Sequence, residues 1–150
     1  MAAAYVALVH LQNLLLPGSA SMAIQFRVAE ALCVLAFVTP AAVPGLTVGC
    51  LLFNVTSGAA LPMDFLVGTL ASFLSVGSMW KLRRVPWLGI WMPALWNALL
   101  VGWELAVCIG GGFWINALYV AIGEATVLIL LGMPLYRAIK KHSRLLLTDK

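Results

Sequence analysis

The sequence predicts an all-α fold: a polytopic membrane protein built as a bundle of six transmembrane helices, with both termini on the cytoplasmic side. Composition, the punctuation of the chain by Pro and Gly, and the placing of the cations carry that prediction. Hydrophobic residues make up 63% of the chain and charged residues 9%, with a mean hydropathy of +1.04. Soluble domains hold about a quarter charged residues, so this composition calls for a lipid surround. A helix needs about 20 apolar residues to cross the hydrocarbon layer, so a chain of 150 residues has room for at most about six spans and one domain, 1–150.

Breaks are expected where Pro, Gly and charge interrupt the apolar runs, because in lipid each backbone polar group must bond within its own helix. They divide the chain into spans near 3–16, 28–38, 43–58, 63–80, 88–109 and 113–136. The first has no basic residue before it and no clear cleavage pattern after it, so it is kept as a span rather than a removed signal. The second and third are short and joined through Thr39, Pro40 and Pro44, which points to a tight turn or broken helix. Lys81, Arg83 and Arg84 lie between spans four and five, and Arg137, Lys140, Lys141 and Arg144 follow span six. Six spans with both termini inside place both clusters in the cytoplasm, leaving Arg27 on the other face. The net charge of +4 then marks membrane orientation and implies no nucleic acid. Trp80, Trp87, Trp91 and Trp114 near span ends fit an interfacial belt.

Cys33, Cys50 and Cys108 lack the spacing of a zinc or redox site and are expected to pack in apolar surroundings. His10 and His142 stand singly, so neither a metal nor another cofactor is expected. No phosphate-binding loop and no paired nucleophile and base occur, which argues against an enzyme and leaves any ATP hydrolysis to another chain.

Four carboxylates, Glu30, Asp64, Glu104 and Glu124, fall within or at the ends of apolar segments. Each costs about 2.5 to 3.5 kcal/mol at a helix centre, so such groups face the protein interior. Glu104 is about one turn from the outer end of span five, Asn97 lies about two turns deeper on the same face, and Glu124 sits near mid-depth in span six. Together they are expected to line one outward-opening cavity, with Asn54 and Asn116 as further polar groups. Gly102 and Gly123 beside the two glutamates allow close helix approach or room for a ligand. Only Arg27 opposes the acids, which favours a cationic or donor-rich ligand. Glu30 is expected to pair with Arg27 three residues away, and Asp64 equally suits a helix N-terminus or a ligand contact. The Asn54-Val55-Thr56 sequon lies in an apolar span and is read as accidental. Ala3 and Ala7, four apart on the first helix, form a small-residue face that another transmembrane helix can approach.

The run Ile24-Gln25-Phe26-Arg27-Val28-Ala29-Glu30-Ala31-Leu32, then Thr39-Pro40, Val43-Pro44-Gly45-Leu46, Gly49-Cys50 and Asn54, resembles the QueT family of membrane subunits. So do Asp64-Phe65, Gly68-Thr69-Leu70-Ala71, Asn97-Ala98, Val101-Gly102 with Glu104-Leu105, Gly123-Glu124 and Gly132-Met133-Pro134-Leu135, in the family's order and spacing. The resemblance covers the chain from Gln25 onward. It implies an S component of an energy-coupling factor importer in the cell membrane, working with a transmembrane coupling subunit and two ATPase subunits. It also implies a queuosine precursor as ligand, a 7-deazaguanine such as preQ1 or queuine, and docking of the coupling subunit on Ala3 and Ala7.

A deazaguanine offers ring and amino donors to one carboxylate, and the aminomethyl group of preQ1 suits a second. Glu104 and Glu124 are the candidates, with Asp64 and Asn97 beside them, Phe26 or Trp103 to stack on the ring, and Gln25 and Arg27 at a lid or rim. The competing readings are an S component for another flat micronutrient, a stand-alone proton-coupled carrier using Glu124, and a purely structural subunit.

Overall fold

A computed structural model describes residues 1–17, 26–58 and 63–148, with side chains as far as 142, so the side chain of Arg144 lies outside the described ones. The elements are α1 (Ala2–Leu15), a 3₁₀ helix η1 (Val28–Phe37), α2 (Ala42–Thr56), α3 (Asp64–Lys81), a single turn α4 (Pro86–Gly89), α5 (Met92–Cys108) and α6 (Phe113–Val127). A π-helical turn (Leu128–Gly132) then leads into α7 (Met133–Thr148). No strand occurs among the described residues.

Two continuous helical stretches, Pro86–Cys108 and Phe113–His142, are long and apolar enough to cross a membrane, while α1, η1 and α2 are apolar but shorter. The short second segment covers more depth than its length suggests. A 3₁₀ helix rises about 2.0 Å per residue, so its ten residues reach about 20 Å, as far as about thirteen α-helical ones. Its bounds match the expected second span within a residue, but the helix type does not follow from the sequence pattern. The last expected span runs on as helix through the basic tail, with a π turn ahead of Pro134. Proline supplies no N–H to the carbonyl four residues back, and the wider turn accommodates its ring.

Pro86 and Pro93 sit in the first turns of α4 and α5, where an absent N–H costs nothing. Gly110 and Gly111 take φ values of 97° and 82°, a backbone region that side chains resist, and so close the turn between α5 and α6. Asn116 Nδ2 donates to Gly110 O across that turn at 3.1 Å. The hairpin lays α6 along α5 so tightly that a Cβ on Gly102 would lie 2.7 Å from Ala117 Cα. Gly102→Val should therefore lower stability by about 1–3 kcal/mol, read as a fall in the unfolding midpoint in detergent. Gly77→Ala, with open space around it, should leave that midpoint unchanged or raise it. Equal effects at the two sites would contradict this packing.

Contacts between termini fix the run of the chain. Cys108 Sγ approaches Met63 Sδ at 3.9 Å at one end. At the other, Phe37 packs edge-on to Tyr136 with centroids 5.2 Å apart, and a Cβ on Gly89 would meet the Phe37 ring. The α1 helix lies parallel to α2, with Met1 and Tyr5 against Gly45 and Gly49, and His10 by Thr56 and Phe53. The core includes Val9, Val34, Leu46, Val76, Met79 and Leu128.

Outside the core the chain is apolar. On α5, Leu95, Leu99, Trp103 and Val107 recur every four residues as an exposed stripe, while Asn97, Val101, Glu104 and Leu105 face inward. Phe65, Leu66, Leu70 and Phe73 are likewise exposed on α3. Apolar stripes outside and carboxylates inside are the arrangement lipid favours.

Candidate functional site

Arg27 stands at the entrance to η1, 5% exposed, and the backbone on either side of it is held by one side chain. Gln12 of α1 donates from Nε2 to Phe26 O and accepts at Oε1 from Val28 N at 2.8 Å. The amide thus spans the residue it positions, and Arg27 Nη1 lies 3.9 Å from where a Cβ on Gly68 would stand. A Cβ there would first meet Asn54 Nδ2 at 2.9 Å, so glycine makes room for that amide, and the guanidinium stands beside it at ordinary contact distance.

In a 3₁₀ helix residues three apart eclipse, so Arg27, Glu30, Cys33 and Ala36 stack in one column. That geometry lets the Cys33 thiol donate to Glu30 Oε2 at 3.0 Å. Tyr5 Oη donates to Glu30 Oε1 at 2.6 Å. Glu30 is therefore hydrogen-bonded by Tyr5 and Cys33 and interacts electrostatically with Arg27 as well, and Cys33 does more than fill space. Tyr5→Phe should leave Glu30 Oε1 buried without its donor and cost about 1–3 kcal/mol, measured by unfolding in detergent. An unchanged midpoint would mean that another group takes over the bond.

Arg27 interacts electrostatically with Asp64 and Glu30, and also with Glu104 and Glu124. The acids fall into two tiers around it. Glu104 interacts with Asp64, and Glu124 with Glu30. The contact of Gly102 with Ala117 gives the separation along the bundle. Glu104 is two residues beyond the contact on α5, and Glu124 is seven residues beyond it on α6 in the opposite direction. That amounts to about 13 Å between their backbone positions. Asn97, five residues before Gly102, comes within about 3 Å of the level of Glu124. Glu124 and Asn97 form one tier, and Glu104 with Asp64 the other, nearer the end of the bundle where Cys108 meets Met63.

Many polar atoms here are buried and, among the described residues, lack a hydrogen-bond partner. They include Arg27 Nε, Asn97 Nδ2, both carboxylate oxygens of Glu104, Glu124 Oε2, and the hydroxyls of Thr69, Ser72 and Ser75. Buried polar groups are bonded in the great majority of cases, so these atoms are candidates for contact with a ligand or water. The serines were not anticipated, yet Gly68, Ser72 and Ser75 at steps of four and three draw a polar stripe down α3. Gln12 left no comparable mark, since its partners lie 14 and 16 residues away.

The remaining candidates stand elsewhere. Trp103 is on the exposed stripe of α5, turned from Glu104 by one helical step, and is not brought to the acids. Phe26 is 38% exposed beside Arg27, and Gln25 lies outside the described residues. Asn54 Nδ2 donates to Asp64 O at 2.7 Å, tying α2 to the start of α3. Ala3 and Ala7 are exposed, while Ala2 faces Gly49. Among the described residues no group of three or more His, Cys, Asp or Glu has a metal-binding arrangement.

A sequence model of a family described as QueT transporter matches residues 1–141. No curated protein and no solved structure matches the chain.

Proposed function

Because the chain belongs to the QueT transporter family, and so is a membrane protein of transport, we propose that it is the substrate-capturing S component of an ATP-driven energy-coupling factor importer. Its ligand in this reading is a queuosine precursor, a 7-deazaguanine such as preQ1 or queuine. The chain crosses the cell membrane six times with both termini in the cytoplasm. A coupling subunit docks on the exposed Ala3 and Ala7, and two further subunits hydrolyse ATP. Segregation of Lys81, Arg83 and Arg84 to the end of α3 and the turn after it, and of Arg137, Lys140 and Lys141 to α7, supports that orientation.

The observation that carries the reading is the two-tier set of unpartnered polar atoms around Arg27 inside an apolar bundle. Four carboxylates to one guanidinium favour a ligand that brings positive charge and several N–H donors. A flat base with an aminomethyl arm fits that demand, its donor edge on one tier and its ammonium on the other. Arg27, fixed by Gln12, stands between the tiers and limits the repulsion between them.

Transport of labelled preQ1 into cells that make this chain, with and without the coupling and ATPase subunits, tests the role. Uptake should require all of them. Uptake by the chain alone would favour a stand-alone carrier, and labelled ligand that binds to no preparation would remove the substrate assignment.

A further inference from the structure

The basic end of the bundle carries a separate feature, a groove of about 500 Å³ between α4 and the helix that runs from the π turn into α7. Its lining is graded. Ile129 and Met133 lie about two turns and one turn before Arg137 on one wall, and Ile90, Trp91 and Trp87 form the other. The order along the helix is apolar, then sulfur-bearing, then cationic, and the two indoles stand on the facing wall. A phospholipid entering from the bilayer presents its acyl chain, its glycerol ester region and its phosphate in that same order, and indoles favour the ester level.

We propose that this groove holds one acyl chain of an anionic phospholipid whose phosphate rests on Arg137. Charge decides between lipid classes. Arg137 is followed by Lys140 and Lys141, and Lys81, Arg83 and Arg84 lie at the neighbouring end of α3. The described acids, Glu30, Asp64, Glu104 and Glu124, are all buried in the interior, so among the described residues no carboxylate offsets this cationic surface. Arg83 is already engaged, its guanidinium 4.0 Å from the centre of the Trp80 ring and its Nη1 on Trp80 O. Arg137 instead faces the groove. A zwitterionic lipid would bring its own ammonium to the same surface, which favours the anionic one. The site requires only that the chain sits in a bilayer, so it stands or falls apart from the transport reading.

Native mass spectrometry of the detergent-purified chain, titrated with phosphatidylglycerol or phosphatidylcholine, reads the bound lipid directly. The wild type should retain one phosphatidylglycerol in preference to phosphatidylcholine. Arg137→Gln should weaken that retention about fivefold, and Arg137→Lys should restore most of it. Helix content by circular dichroism checks that each variant is folded, and Ile129→Trp, which fills the apolar end, gives an independent loss. Equal retention of the two lipids by the wild type, or undiminished retention by both Arg137→Gln and Ile129→Trp, overturns the proposal. So does displacement of the lipid by inorganic phosphate alone, which would make the site a simple anion site.

Discussion

Replacing Glu124 or Glu104 by Gln should weaken binding of preQ1 by about 2 to 4 kcal/mol, roughly 30-fold to 1,000-fold, because each removes a buried charged acceptor from the ligand. Both side chains have unpartnered oxygens and near-zero exposure, so neither has a solvent shell to fall back on. Gln keeps the shape but trades one acceptor oxygen for a donor. The two variants should also differ. If one tier holds the aminomethyl ammonium, its Gln variant should lose preQ1 affinity while guanine, which lacks that arm, binds as before. The tier that accepts the ring donors should lose both ligands. Calorimetry on each variant with each ligand gives the assignment, and two variants that bind preQ1 as the wild type does would take the acids out of the site.

Arg27→Met should cost about 3–5 kcal/mol of stability, since it strips the central cation from a buried set of acids and leaves their repulsion uncompensated. The surroundings cannot relax easily, because Gln12 holds the backbone at Phe26 and Val28, on either side of Arg27. Arg27→Lys keeps the charge but loses the planar five-donor fork, and should retain most of the stability while losing ligand affinity. Unfolding midpoints in detergent check the first statement and calorimetry the second. A stable Met variant would mean that the acids are neutral without Arg27.

Much of this architecture is legible in the residues themselves. Glu104 and Asn97 are seven apart and share the inward face of α5, as their spacing requires, and the breaks at Pro40, Gly58 and the Gly110 turn fall where the sequence places them, while Pro44 stands in the first turn of α2 and breaks nothing. The exposed position of Trp103 was equally available from Leu95 and Leu99, since steps of four share a face. Adjacency to Glu104 misleads there, because neighbours on a helix are about 100° apart.

Other parts were beyond local reading. Whether residues 28–37 wind as α or 3₁₀ depends on packing against the later helix, where Gly132 lies against Val34. That choice in turn aligns Cys33 with Glu30. The Tyr5 bond to Glu30 and the Gln12 clamp join residues far apart in sequence, and the chain pattern does not encode such partners. Ser72 and Ser75 were missed because serine inside an apolar helix reads as a small residue until its burial among acids is known.

The central claim is capture of a 7-deazaguanine, and equilibrium calorimetry of the folded wild-type chain in detergent with preQ1, preQ0, queuine and guanine tests it most directly. The account predicts saturable binding of at least one deazaguanine, tighter than guanine. Absence of heat with all four, from protein whose circular dichroism shows an intact helical fold, would contradict it.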